Sequence, residues 1–156
     1  MEGLVFRPMR ADDKDRMEAF YRGLGEKSTA FFNVGGGNER RTADFFGPAP
    51  RPNHEYYIAE ADGTVAGHLF IWDTDTRVPW LGLAVRDDFQ KQGVGSFMLT
   101  SLFTLLAPRG YGGLLLRTAK ENVPAQKLYE KHGFTRLGVH PSGEFLYLKR
   151  FTSVEY

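Results

Sequence analysis

The chain has 156 residues, 42% of them hydrophobic and 25% charged, with 20 Lys and Arg against 19 Asp and Glu for a net charge of +1. That length and mix fit one globular domain, residues 1–156, with a core of its own, and near-neutrality argues against nucleic acid as the main partner. The absence of cysteine removes disulfides, thiolate metal sites and cysteine nucleophiles together.

LVFRPMR (4–10) reads as a first strand that stops near Pro8. ADDKDRMEAFYRGL (11–24) predicts a helix capped by Asp12 or Asp13, because Met17, Phe20, Tyr21 and Leu24 fall at helical spacing, with Gly25 as its end. FFNVGGGN (31–38) reads as a flexible loop, ERRTADFF (39–46) as a short helix and GPAPRPNH (47–54) as a connector too short to divide domains. EYYIAEA (55–61) and TVAGHLFIWD (64–73) predict a hairpin about an Ala-Asp-Gly turn, followed by a strand over VPWLGLAVR (78–86). Val94, Phe97, Met98, Ser101, Leu102 and Leu105 mark a helix that ends by Pro108. GGLLLRTA (112–119) is a buried strand, and VPAQKLYEKHGF (123–134) a helix capped by Asn122 and stopped by Gly133. TRLGV (135–139) and EFLYLKRF (144–151) close the chain as a hairpin. The order predicts a mixed α/β or α+β domain of about seven strands, mostly antiparallel, and about four helices. No apolar run has the length of a signal peptide core or a membrane span, so no membrane partner is expected and the predicted location is cytoplasmic.

Within QKQGVGSFML (90–99), Gly93 and Gly95 stand where a charged loop meets an apolar helix. Glycine weakens a helix by roughly 0.5–1 kcal/mol relative to alanine, so the bare backbone needs a reason. One reason is a tight turn with close packing. The other is anion binding: a helix start presents unpaired N–H groups, and Gln92, Gly93, Val94, Gly95 and Ser96 offer a fan of them with Lys91 beside it. A P-loop is excluded because no Gly-Lys-Ser/Thr follows, and a dinucleotide fingerprint because Met98 stands where a third small residue is required.

The wider context decides between these readings. LAVRDDFQKQGVGS (83–96), with Gln90, Gly93 and Gly95, resembles the first signature of the GNAT superfamily of acyl-CoA-dependent N-acyltransferases. NVPAQKLYEKHGF (122–134) resembles the second, with Asn122, Ala125, Leu128, Tyr129, Gly133 and Phe134 all in place. One departure is Asp87, where the family often has proline. The resemblance implies a GNAT-like fold and a transfer of acetyl from acetyl-CoA to an amine acceptor. It implies that the pyrophosphate of coenzyme A rests on the N–H groups from Gln92 to Ser96, with Lys91 and Asn122 nearby. It also implies that the pantetheine arm pairs with the strand edge at Leu83, Ala84 and Val85, the N–H of Val85 polarising the thioester carbonyl. Tyr129 is then the general acid, because a phenol holds its proton at neutral pH and can give it to the leaving thiolate.

The base stays open among Asp73, His68, Glu144 and a water relay; the position where some relatives carry a glutamate is Arg117 here. Phe31, Phe32, Phe45, Phe46, Tyr56 and Tyr57, with Arg40 and Arg41, are candidates for an acceptor wall, although Phe45 and Phe46 read better as core. The acceptor is a small molecule or a protein. The alternative is a non-catalytic GNAT-like module that binds acyl-CoA as a sensor. The four histidines are scattered with no i, i+4 pair, so no metal is expected. A homodimer is left open.

Overall fold

Runs of alternating and fully apolar residues form seven strands in a computed structural model that describes residues 3–34 and 37–151. They are β1 (Leu4–Pro8), β2 (His54–Ala61), β3 (Thr64–Trp72), β4 (Trp80–Val85), β5 (Gly113–Thr118), β6 (Thr135–Val139) and β7 (Phe145–Arg150). They make one sheet in the order β1-β2-β3-β4-β5-β7-β6. Every neighbouring pair is antiparallel except β4 and β5, which are parallel. The mixed sheet matches the expectation from the sequence.

The helices are α1 (Lys14–Arg22), α2 (Glu26–Asn33), α3 (Asn38–Ala43), α4 (Val94–Leu106) and α5 (Val123–Lys131). Five were found where about four were expected, and the extra one is α2. Residues 31–33 finish this helix instead of opening a loop, while Gly35 and Gly36 of that expected loop lie outside the described residues. The physical reason is tertiary. Phe32 packs edge-on to His68 and Phe70, and Gly25, read as the end of the first helix, is the N-cap of α2. Its N–H donates to the carboxylate of Asp87 at 3.0 Å, so a distant side chain supplies the missing cap. The helix α1 ends at Gly23. Asp13 does stand at its N-cap, but its carboxylate is turned to Arg7, which donates two 2.8 Å bonds, and to the Arg10 N–H. A buried carboxylate is better held by a bidentate guanidinium than by a helix end.

Strand alternation divides the core in two. On one face α4 and α5 cover Leu69, Ile71, Leu81, Leu114, Leu116 and Tyr147. On the other, α1 and α2 cover Tyr56, Ile58 and Phe70. No helix of the described residues is long and apolar enough to cross a membrane.

Candidate active site

The sheet is open at one place. β3 and β4 are paired over six positions, as are β5 and β7, but β4 and β5 share a single bridge among the described residues, Trp80 to Leu115. The Leu115 N–H donates to the Pro79 carbonyl at 2.9 Å beside it. Beyond this pin, residues of both strands line a cleft of about 560 Å³, within the range of small-molecule sites.

Backbone parity tells which groups of β4 face the gap. The Arg86 N–H donates to the Ala66 carbonyl of the β3 side, so Ala84, two residues back, also turns its N–H and C=O toward β3. Leu83 and Val85 therefore turn theirs to the cleft. The Val85 carbonyl accepts a bond from the Gln90 side chain at 3.1 Å. All three line the cleft, but the backbone of Ala84 is committed to the sheet, unlike the sequence expectation that it would pair with a ligand.

At the open end stands the start of α4. Its first backbone bond runs from the Phe97 N–H to the Gly93 carbonyl, so the N–H groups of Val94, Gly95 and Ser96 have no partner within the helix. Gly93 has φ +85°, a left-handed conformation that glycine holds without strain, and a Cβ there would meet open space. Lys91 is also left-handed, at φ +62°. Gly95 is bare for a different reason: a Cβ there would come within 2.8 Å of the end of the Leu128 side chain, so glycine lets α5 pack close without Leu128 moving aside. Lys91, Gly93, Val94, Gly95 and Ser96 line the cleft. Gln92 does not, and its amide donates to the Asp88 carbonyl at 3.0 Å. The Ser96 hydroxyl is 2.9 Å from His132 Nε2.

The helix α5 brings two more of the expected residues to the same cleft. Asn122 caps it, its side-chain oxygen accepting from the Ala125 N–H at 3.3 Å. Tyr129, two turns further along the helix, lines the cleft while its ring packs against Phe134 and Tyr147. Its hydroxyl makes no hydrogen bond to protein among the described residues. Burial pushes its pKa up, so it stays protonated at neutral pH.

The three candidate bases separate clearly. His68 is fully buried between aromatic rings, with Nδ1 2.8 Å from the Tyr57 carbonyl and Nε2 3.2 Å from the Thr42 hydroxyl. Desolvation pushes its pKa down to about 4. It does not reach the cleft. Asp73 is exposed in a turn, also away from it. Glu144 is 4% exposed and lines the cleft.

Of the expected aromatic wall, Phe31 and Phe32 line the cleft, while Phe45, Phe46 and Tyr56 belong to the core beneath α1 and α2. Tyr57 lies on the opposite face, as its place next to Tyr56 in a strand requires. Trp72 of β3 also lines the cleft, with the Arg41 guanidinium 4.5 Å above its ring. Arg41 Nε and Nη1 are buried with no hydrogen-bond partner among the described residues, and desolvation lowers the pKa of this group. Lys27, Ser28 and Asn38 reach the cleft from α2 and α3. The sequence announces no helix over 26–30, which hides Lys27 and Ser28, and it predicts a loop at 31–38, where Asn38 starts α3.

A family model described as the acetyltransferase (GNAT) family matches residues 14–134. A protein of Haemophilus ducreyi (strain 35000HP / ATCC 700724) named [ribosomal protein bS18]-alanine N-acetyltransferase is 40% identical over 57 residues, 36% of this chain and 39% of that protein. A Bacillus subtilis (strain 168) protein, provisionally named for the same activity, is 28% identical over 88 residues, 56% of this chain and 58% of its own length. The chain thus spans between two fifths and three fifths of these relatives. The GNAT domain of S. lividans PAT superposes with a TM-score of 0.81 at 16% identity, covering 94% of this chain and 89% of that one. The PaiA N-acetyltransferase of Thermoplasma acidophilum, solved with coenzyme A, superposes with a TM-score of 0.74 at 13% identity, covering 95% and 99%. These two likenesses show the fold.

Proposed function

Because this chain belongs to the GNAT family of acetyltransferases, we propose that it moves an acetyl group from acetyl-CoA to a primary amine. The observation that carries this reading is the cleft between β4 and β5, pinned at Trp80 and Leu115, with the start of α4 at its open end and Tyr129 in its wall. The donor set suits a pyrophosphate: three N–H groups without intrahelical partners, a left-handed glycine with open space before it, and Lys91. The backbone of Leu83 and Val85, turned to the gap, suits the amide-bearing pantetheine arm. The N–H of Val85 polarises the carbonyl. Acetyl-CoA supplies an activated acyl thioester. Tyr129, protonated and with no partner for its hydroxyl among the described residues, delivers the proton that the departing sulfur needs.

The acceptor we favour is an α-amine at a protein N-terminus. Both curated relatives are named for an alanine of a ribosomal protein, and alanine has no side-chain nitrogen. An α-amine, with a pKa near 7.7–8.0, gives up its proton more readily than a lysine side chain near 10.4, although most of it is still ammonium at neutral pH. The test is acetyl transfer from acetyl-CoA to a panel of alanine-initiated peptides, lysine peptides and small amines. We expect transfer to the peptide α-amine, and Tyr129→Phe should lower kcat by ~10²–10⁴-fold while acetyl-CoA affinity stays within a few-fold. Acetyl-CoA binding without transfer to any amine would instead support a non-catalytic acyl-CoA sensor.

A further inference from the structure

The cleft passes through the sheet, so its two mouths are chemically distinct. Tyr129 approaches from the face covered by α4 and α5, where Leu114, Leu116, Phe145 and Tyr147 also point. Alternation places Trp80, Arg117, Glu144 and Leu146 on the opposite face, the one to which α2 brings Phe31 and Phe32. Two carboxylates line the cleft among the described residues, Glu121 and Glu144. Glu121 is exposed, in the turn after β5, whereas Glu144 is buried on the acceptor face.

Glu144 is held in place by its own hairpin. The Ser142 hydroxyl donates to Glu144 Oε1 at 3.0 Å, and Arg117 Nε lies 3.8 Å from the same oxygen. The Ser142 N–H donates to His140 Nδ1, and the His140 N–H donates to the Glu144 carbonyl at 2.7 Å, which closes the turn. Glu144 Oε2 makes no hydrogen bond to protein among the described residues. One oxygen is therefore fixed and the other is left for a ligand. Among the described residues, Arg117 is the charged group beside this carboxylate, and its guanidinium is also 3.5 Å from His140 Nδ1 in the same turn.

We propose that Glu144 is the acceptor-side catalytic residue, binding the incoming ammonium group through Oε2 and taking its proton. This rests on the acetyltransferase reading above. The ammonium gives one proton to Glu144, and the neutral amine attacks the thioester carbonyl. The C–N bond forms, the C–S bond breaks and the sulfur takes the Tyr129 proton. The second proton lost by nitrogen restores Tyr129, and Glu144 returns its own to solvent. The carboxylate that some relatives carry on the fifth strand, where Arg117 stands, is thus supplied here from the neighbouring strand's end.

The test uses the full chain loaded with coenzyme A and titrated with alaninamide by calorimetry, and the same amine in acetyl transfer from acetyl-CoA. Wild type should bind alaninamide, and Glu144→Gln should lose that binding with acetyl-CoA affinity unchanged. Its kcat/KM for alaninamide should fall ~100-fold at neutral pH and recover as the amine deprotonates at higher pH; a structural defect would not recover in that way. Glu144→Asp should restore part of the loss. Ser142→Ala, which keeps the carboxylate but frees it, should weaken alaninamide binding less. If wild type binds alaninamide and Glu144→Gln binds it equally, or if loaded wild type binds none, the assignment is overturned. Failure of wild type to bind acetyl-CoA would instead overturn the acetyltransferase reading itself.

Discussion

His68 looks on paper like a base candidate, a histidine on a central strand, and its environment shows why it serves the fold instead. Its ring is buried among Phe20, Phe32, Tyr56 and Phe70, with both nitrogens committed to Tyr57 and Thr42. In the unfolded chain it takes a proton near pH 6.5, in the fold near 4. Between those values the unfolded state binds the extra proton, so its stabilising share is complete above about 6.5. That share is lost as pH falls toward 4, on the order of 3 kcal/mol in all. Urea unfolding at about pH 7.5 and about pH 5 should show the drop in wild type and a flatter dependence in His68→Gln. An equal drop in both would mean that other groups carry it. The same scale explains Gly93 and Gly95. Their spacing was visible in the sequence, but their separate reasons were not: the first needs φ +85°, the second needs room for Leu128. Neither a dihedral angle nor a helix–helix approach leaves a mark on composition.

At the scale of elements, α2 carries the main lesson. It has only 8 residues, and an isolated helix that short is marginal in water. It exists because Phe32 is gripped by His68 and Phe70 and because Asp87, 62 positions away, caps its first turn. No local signal announces a cap supplied from that distance. Asp87, which departs from the proline common at this turn in the family, ties the turn leading into α4 to the helix bearing Phe31 and Phe32. The Gln90 side chain reinforces it, donating to the Ser28 hydroxyl at 3.4 Å. Asp87→Ala should cost roughly 1 kcal/mol of stability and raise the KM for the amine while leaving acetyl-CoA affinity unchanged. Thermal unfolding and initial-rate kinetics check both. An unchanged amine KM would show that α2 does not position the acceptor.

For the whole molecule, strand order and the two-faced core were legible because apolar periodicity dictates them. The opening between β4 and β5 was not legible from periodicity. A parallel pair that meets at one bridge has the same residue pattern as one fully paired, and only the resemblance carried by Gln90, Gly93, Gly95 and Tyr129 pointed to it. Glu144 stood in the sequence as one of three candidate bases with Asp73 and His68, and it took the fold to bring it alone of the three to the cleft that Tyr129 lines. Both proposed proton transfers depend on the cleft holding an acyl thioester by its phosphates at the start of α4. Calorimetric titration of the purified chain with acetyl-CoA, and with S-acetylpantetheine, which has the same thioester and lacks the pyrophosphate, tests this most directly. Charge-assisted hydrogen bonds of about 1.5–3 kcal/mol each predict 1:1 binding of acetyl-CoA, at least ~10-fold tighter than S-acetylpantetheine, with the preference lost in Gly93→Glu. Absence of acetyl-CoA binding, or equal affinity for the two thioesters, would contradict it.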